Sequence, residues 1–248
     1  MALGKVFCCC LVLLVASIAP FGVAAQQIAS DMALGDPNAP VKVIEYASMT
    51  CPHCAAFHQE SFPLLKEEFI DTGKVYFVFR EFPLDGIALR AAVLARCSGA
   101  ERFFPFLDVL FRQQQSWAQA NDPLIALRQV GTMGGTPAGQ FEECLQDDAL
   151  VNGIIASRQI AEQQYAIVST PTFLINGVVV EGNLPWAEFS DLLRRAAAGE
   201  DIAVTEALGE QPDASGGSNG TYIAIAIVLG MLAVVALFLF RRPRAGSS

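Results

Sequence analysis

Basic residues are scarce. The 248-residue chain has 16 Lys and Arg against 25 Asp and Glu. Four of the 16 (Lys5, Arg241, Arg242, Arg244) lie at the two ends, which leaves residues 26–220 with 12 basic side chains and all 25 acidic ones. A surface so poor in positive charge cannot neutralise a run of phosphates, which all but excludes nucleic acid as a partner. Histidine is scarcer still: His53 and His58 are the only two. A papain-like Cys–His pair lacks a distant base, and a zinc site of the usual four ligands is hard to assemble. The sequence has no internal repeat. Gly131, Gly134, Gly135 and Gly139 do not make a phosphate loop, because they follow a helical pattern and have no lysine nearby. Charged residues amount to 17% and hydrophobic ones to 53%. That apolar share excludes disorder for most of the chain and points to a segment in lipid.

The ends supply such segments. Residues 1–25 read as a secretory signal, with Lys5 as a weak positive start, an apolar run from Val6 to Ala19, and small residues at Val23-Ala24-Ala25 for cleavage. The run is too short to span a bilayer comfortably. Thr221 to Phe240 is twenty residues without a charge, long enough as a helix to cross a hydrocarbon core of about 30 Å. Arg241, Arg242 and Arg244 follow at once and belong on the cytoplasmic side. The expected order is a signal peptide (1–25), an exported domain, a flexible acidic linker rich in Gly and Ser (200–220), a single transmembrane helix (221–240) and a cytoplasmic tail (241–248).

Cys8, Cys9 and Cys10 fall inside the signal, which leaves Cys51, Cys54, Cys97 and Cys144. In an oxidising compartment four cysteines allow three pairings. Cys51 and Cys54 form a C-x-x-C that can close on itself, and Cys97 and Cys144 would then pair by elimination across a long loop.

The hydrophobic pattern frames that C-x-x-C. Val41–Tyr46 reads as a buried strand and runs through Ala47–Thr50 into Cys51-Pro52-His53-Cys54, where a helical pattern begins that Pro63 should kink or split. Lys74–Phe79 is a second strand, so strand, helix, strand gives a βαβ unit with a parallel pairing. The next eighty residues show no strand signal. Helices are expected over Ile87–Cys97, over Glu101–Gln115, from Pro123 behind an Asp122 cap, from Pro137 behind a Thr136 cap, and over Asp148–Gln164. Strands return at Thr172–Ile175 and Val178–Glu181 around Asn176-Gly177, a strong hairpin signal, and Pro185 opens a last helix to Ala198. The fold class is α/β: βαβ, an all-helical insertion, then ββα. The corresponding domain parts are 26–84, 85–165 and 166–199.

A cysteine at the strand-to-helix junction meets unpaired N–H groups and the positive end of the helix dipole. Cys51 should therefore ionise readily, with His53 adding positive charge or N–H donors. Stabilising that thiolate makes the disulfide a stronger oxidant and Cys51 a good leaving group. An inert staple is the plain alternative, but so small a loop removes little unfolded-state entropy. A metal site using Cys54, His58 and Cys51 is another. Glu45 stands in an otherwise apolar strand six residues before Cys51. It is either a proton acceptor for Cys54, tuned by Lys74 on the next strand, or a carboxylate on an exposed strand edge. Thr170-Pro171 opens the third strand, where proline is confined to special positions and can be cis or trans.

Together these residues resemble the DsbA-like branch of the thioredoxin superfamily, from about Asp36 to Ala198. The resemblance is carried by Gly35-Asp36-Pro37-Asn38-Ala39-Pro40-Val41, the Glu45 strand, the Cys51-Pro52-His53-Cys54 tetrad, the helical insertion, and Thr170-Pro171-Thr172-Phe173 before a glycine hairpin. It implies a thioredoxin fold in which Pro171 is cis and faces the disulfide, Cys51 forms the mixed disulfide with substrate, and Cys54 resolves it. It also implies that Cys97 and Cys144 form the extra disulfide of some bacterial members. No cofactor and no metal are expected. The implied partners are exported proteins with cysteines and a quinone-linked membrane oxidase similar to DsbB. The implied location is the inner membrane of a bacterium, with the catalytic domain in the periplasm. Threonine rather than valine before the proline is similar to isomerases and reductases, which would instead be kept reduced by a membrane electron donor. The membrane helix also sets the chain apart from the soluble periplasmic oxidases.

Overall fold

The computed structural model describes residues 29–202. The expected signal peptide, membrane helix and tail, and the linker beyond Ile202, lie outside the described residues. Among the described residues no helix is long and apolar enough to cross a membrane.

A five-stranded mixed sheet forms the frame. Its strands are β1 (Met32–Leu34), β2 (Val41–Ala47), β3 (Val75–Glu81), β4 (Thr172–Ile175) and β5 (Val178–Glu181), in the order β1-β3-β2-β4-β5. The pairing of β2 with β3 is parallel, as the βαβ pattern predicts, and Asn176-Gly177 turns β4 into antiparallel β5. β2 is central and buried except at Lys42. Its near-continuous apolar sequence follows from cover on both faces. On one face Val43 and Ala47 join a large core with Phe77, Phe79 and Phe173. On the other, Ile44 and Tyr46 pack with Val78, Leu174 and Ala161.

β1 has no counterpart in the sequence reading. It is three residues long and adds to the sheet antiparallel to β3. Between β2 and β3 the expected Pro63 break is real. Helix α1 (Pro52–Glu60) ends at Ser61 and α2 (Phe62–Leu65) carries Pro63 in its first turn, where a missing N–H costs nothing. A single π-helical turn (Lys66–Ile70) follows.

Six helices stand between β3 and β4: α3 (Gly86–Cys97), α4 (Ala100–Arg112), α5 (Gln114–Ala118), α6 (Pro123–Met133), α7 (Ala138–Leu145) and α8 (Asp148–Tyr165). The single helix expected over Glu101–Gln115 is two, broken at Gln113. Asp122 caps α6 as expected, accepting from the Leu124 and Ile125 N–H groups. The Thr136 cap does not form. Pro137 takes the N-cap position of α7, and the buried Thr136 hydroxyl has no partner. Cys97 at the end of α3 and Cys144 in α7 are joined by a disulfide. Helix α9 (Trp186–Ala197) returns to the sheet, and its Phe189 meets Phe57 of α1 and Phe173 of β4, with ring centroids 5.6 and 4.9 Å apart.

Candidate active site

The loop after β2 delivers Cys51 to the N-cap position of α1, in extended backbone (φ −78°, ψ 119°), with Pro52 opening the helix. This is where a serine or aspartate would ordinarily accept from the second and third N–H groups of a helix. Here those groups belong to His53 and Cys54; Cys51 makes no side-chain cap bond to them, but they lower the pKa of its sulfur. The loop is held from outside. Gln114 of α5, itself buried, donates to the Met49 and Cys51 carbonyls at 2.9 Å each. Thr50 donates to Asp85 at 2.8 Å, while the other oxygen of Asp85 caps α3 at Ala88.

Both cysteines are free thiols. Cys51 keeps 6% of its surface exposed and Cys54 none. The Cys51 pKa is lowered from 9.0 to about 5. Donation from the Cys54 thiol contributes most, against the opposing effect of burial. The Thr170 side chain and the backbone N–H groups of Cys54 and His53 add to the lowering. Cys54 goes the other way, well above the usual thiol value. Burial is the main cause, and the donation to Cys51 and the nearby Glu45 charge reinforce it. The two sulfurs thus divide one anion very unequally.

The Thr170–Pro171 peptide is cis and lies against the first cysteine. In the thiol form Cys51 Sγ donates to the Thr170 carbonyl at 3.2 Å. The Thr170 hydroxyl is buried without a partner, and the Thr170 side chain is among the groups that lower the Cys51 pKa. Pro171 is held in turn by the Gly182 N–H, which donates to its carbonyl at 2.8 Å.

Several side chains sit differently from expectation. The His53 imidazole is exposed, and what His53 brings to the thiolate is its backbone N–H. Glu45 is on no edge: it is fully buried on the central strand. Lys74 does not tune it. Register places Phe79 beside Glu45, and Lys74, just before β3, donates to the Glu68 carbonyl. The partner of Glu45 is His58, whose Nε2 stands 2.8 Å from Oε2 with 3% of the residue exposed. Cys54 and His58 do share a helix face, but His58 turns to the carboxylate. Among the described residues no three His, Cys, Asp or Glu side chains are grouped to hold a metal ion. Gln114 carried no signal in the sequence. The signal for His58 was its spacing from Cys54, which suggested a metal ligand rather than a carboxylate partner.

The family model described as Thioredoxin matches residues 27–195. A Rickettsia prowazekii chain, named provisionally as a protein-disulfide oxidoreductase, is 40% identical over 153 residues, 61% of this chain and 56% of its own. This chain therefore spans little more than half the length of that relative. Disulfide bond formation protein D of Bacillus subtilis is 26% identical over 175 residues, 67% of this chain and 77% of its own. The crystal structure of Wolbachia pipientis alpha-DsbA1 is 33% identical and superposes with a TM-score of 0.65, covering 69% of this chain and 93% of that one. With the fold, the tetrad at a helix start and the cis Thr170–Pro171 peptide against Cys51, these likenesses carry one conclusion: the chain belongs to the thioredoxin family and is similar, within it, to the DsbA-like proteins.

Proposed function

We propose that this chain is a thiol:disulfide oxidoreductase that introduces disulfide bonds into exported proteins through Cys51 and Cys54. The observation that carries the reading is the unequal pair: an anion held at Cys51, with a pKa of about 5, beside a buried thiol at Cys54. A substrate thiolate attacks Cys51 Sγ of the oxidised pair, the Cys51–Cys54 bond breaks, and Cys54 takes the electron pair and then a proton. A second substrate thiolate attacks the substrate sulfur of the mixed disulfide. The substrate leaves with a disulfide, and Cys51 leaves as the thiolate that the helix start stabilises. A DsbB-like, quinone-linked membrane protein would reoxidise the pair. The catalytic domain would face the periplasm, anchored through 221–240.

A redox titration of the full chain against glutathione tests this. The account expects a potential well above that of a cytosolic reductant of the thioredoxin type, about −270 mV. A value that low sinks the oxidase role.

Thr170 favours a second reading, an isomerase or reductase kept reduced by a membrane electron donor. Trapping the thiols in intact cells separates the two: Cys51 mostly oxidised fits the oxidase, and mostly reduced fits the alternative. A metal-holding or chaperone module is the remaining possibility. Refolding activity retained in Cys51→Ser would favour it over either enzyme.

A further inference from the structure

The exchange cycle makes a demand at Cys54 that the surface of the site does not meet. This thiol is fully buried, yet it must gain a proton in one half of the cycle and lose it in the other. Beneath it lies Glu45, also fully buried, with one carboxylate oxygen on His58 and the other, Oε1, without any partner. A buried carboxylate oxygen left without a donor is costly and is suited to receiving a proton. His58 is held edge-on to Phe79 and Phe57 and stacked on Phe111, 4.5 Å between centroids. It also lines a cleft of about 450 Å³, together with Leu34, Phe62, Lys66 and Phe104 and with neither cysteine.

We propose that His58 is a positioning residue that orients Glu45 and passes the Cys54 proton between that carboxylate and water in this cleft. The proposal rests on the thiol-exchange reading above. In the resolving step the Cys54 S–H proton moves to Glu45, and the freed sulfur attacks Cys51 of a mixed disulfide. The Cys51–Cys54 bond forms and the partner sulfur departs with the electron pair. The carboxyl group turns to present that proton to His58 Nε2, and the imidazole releases a proton through the cleft; the reverse path protonates Cys54 when the disulfide opens. The charged and titratable groups around the pair are Cys51 at the N-cap of α1, Cys54 on α1, Lys66 on the π turn with its partner Asp71, and Glu101 and Asp108 on α4, the latter paired with Arg112. Phe79 and Phe173, the strand neighbours of Glu45, bring no charge.

The test uses the reduced full chain and dithiobis(nitrobenzoate). The first thionitrobenzoate released reports Cys51, and the second reports attack by Cys54. In His58→Gln the first release should keep its rate, while the second slows by about tenfold or more, with an altered pH profile. Glu45→Gln should slow the second release at least as much, and the double variant no further than Glu45→Gln alone. A second release unchanged in His58→Gln, or slowed additively in the double variant, overturns the proposal. Should His58→Gln fail to fold, Glu45→Gln decides alone: a second release at the parent rate overturns it. A parent chain without a fast first release would instead sink the exchange reading, and this proposal with it.

Discussion

Thr170 shows how much one hydroxyl can carry. It is buried, unpartnered, and beside the sulfur that ionises. Thr170→Val keeps the shape and removes a desolvated polar group, so the oxidised chain, which has no Cys51 thiolate to lose a donor, should lose no stability. Cys51 should then ionise at a pH clearly above 5, because a thiolate donor is gone. The two are read as a thermal midpoint and as alkylation rate against pH, and an unmoved ionisation midpoint would count against the role. Residues of this kind were legible in the sequence because their chemistry is local. Cys51 and Cys54 stand within one helical turn, and Thr170-Pro171 marks a special place at a strand start, though composition left cis and trans open and only the family resemblance implied cis. The Glu45–His58 pair was not legible. Its members are thirteen residues apart on a strand and a helix, and only the packing of α1 on β2 brings them together. Reading Glu45 against Lys74 failed because the register sets Phe79 there.

Helix α1 positions the thiolate, and Phe57 secures α1. Its ring is 4.7 Å from Phe173 on β4 and 5.6 Å from Phe189 on α9, and it is almost fully buried. Phe57→Ala should cost about 3–5 kcal/mol in urea unfolding, as large-to-small changes in packed cores do. A loss under about 1 kcal/mol would mean that α1 is anchored elsewhere. The long elements were readable because burial imposes a period on them: β2, β3, the hairpin and the helices α3, α6 and α8 stand close to their expected places. Short ones were not. β1 has three residues, too few for a pattern, and exists because the edge of β3 is there to pair with. The break at Gln113 is also tertiary in origin, since it lets Gln114 reach the carbonyls of Met49 and Cys51. Thr136 was a sound cap by composition, but Pro137 takes the cap position instead.

At the scale of the whole molecule, the Cys97–Cys144 disulfide ties α3 to α7 across 47 residues. Replacing both cysteines by serine should lower stability by about 2–4 kcal/mol through the unfolded chain's added freedom. The Cys51 alkylation rate should not change, because the bridge lies outside the active site. Folding of the reduced chain is also linked to pH. Cys51 ionises at about 5 when folded and near 9.0 when unfolded. The stability this adds is fully present above the unfolded value, declines as pH falls, and is gone below about 5. Cys54, raised in the fold, opposes this only above the ordinary thiol range. Urea unfolding of the reduced chain should therefore strengthen with pH between about 5 and about 9, relative to the oxidised chain, in which this pair has no thiol to titrate. A constant difference would contradict the linkage. The thiolate belongs to the assembled fold, since its donors come from α1 and from the loop before β4. Alkylation of Cys51 in the reduced full chain, followed against pH in the native and urea-unfolded states, tests this most directly. The account predicts half-maximal reactivity near pH 5 in the native protein and near 9 in the unfolded one. A native midpoint at the unfolded value would contradict it.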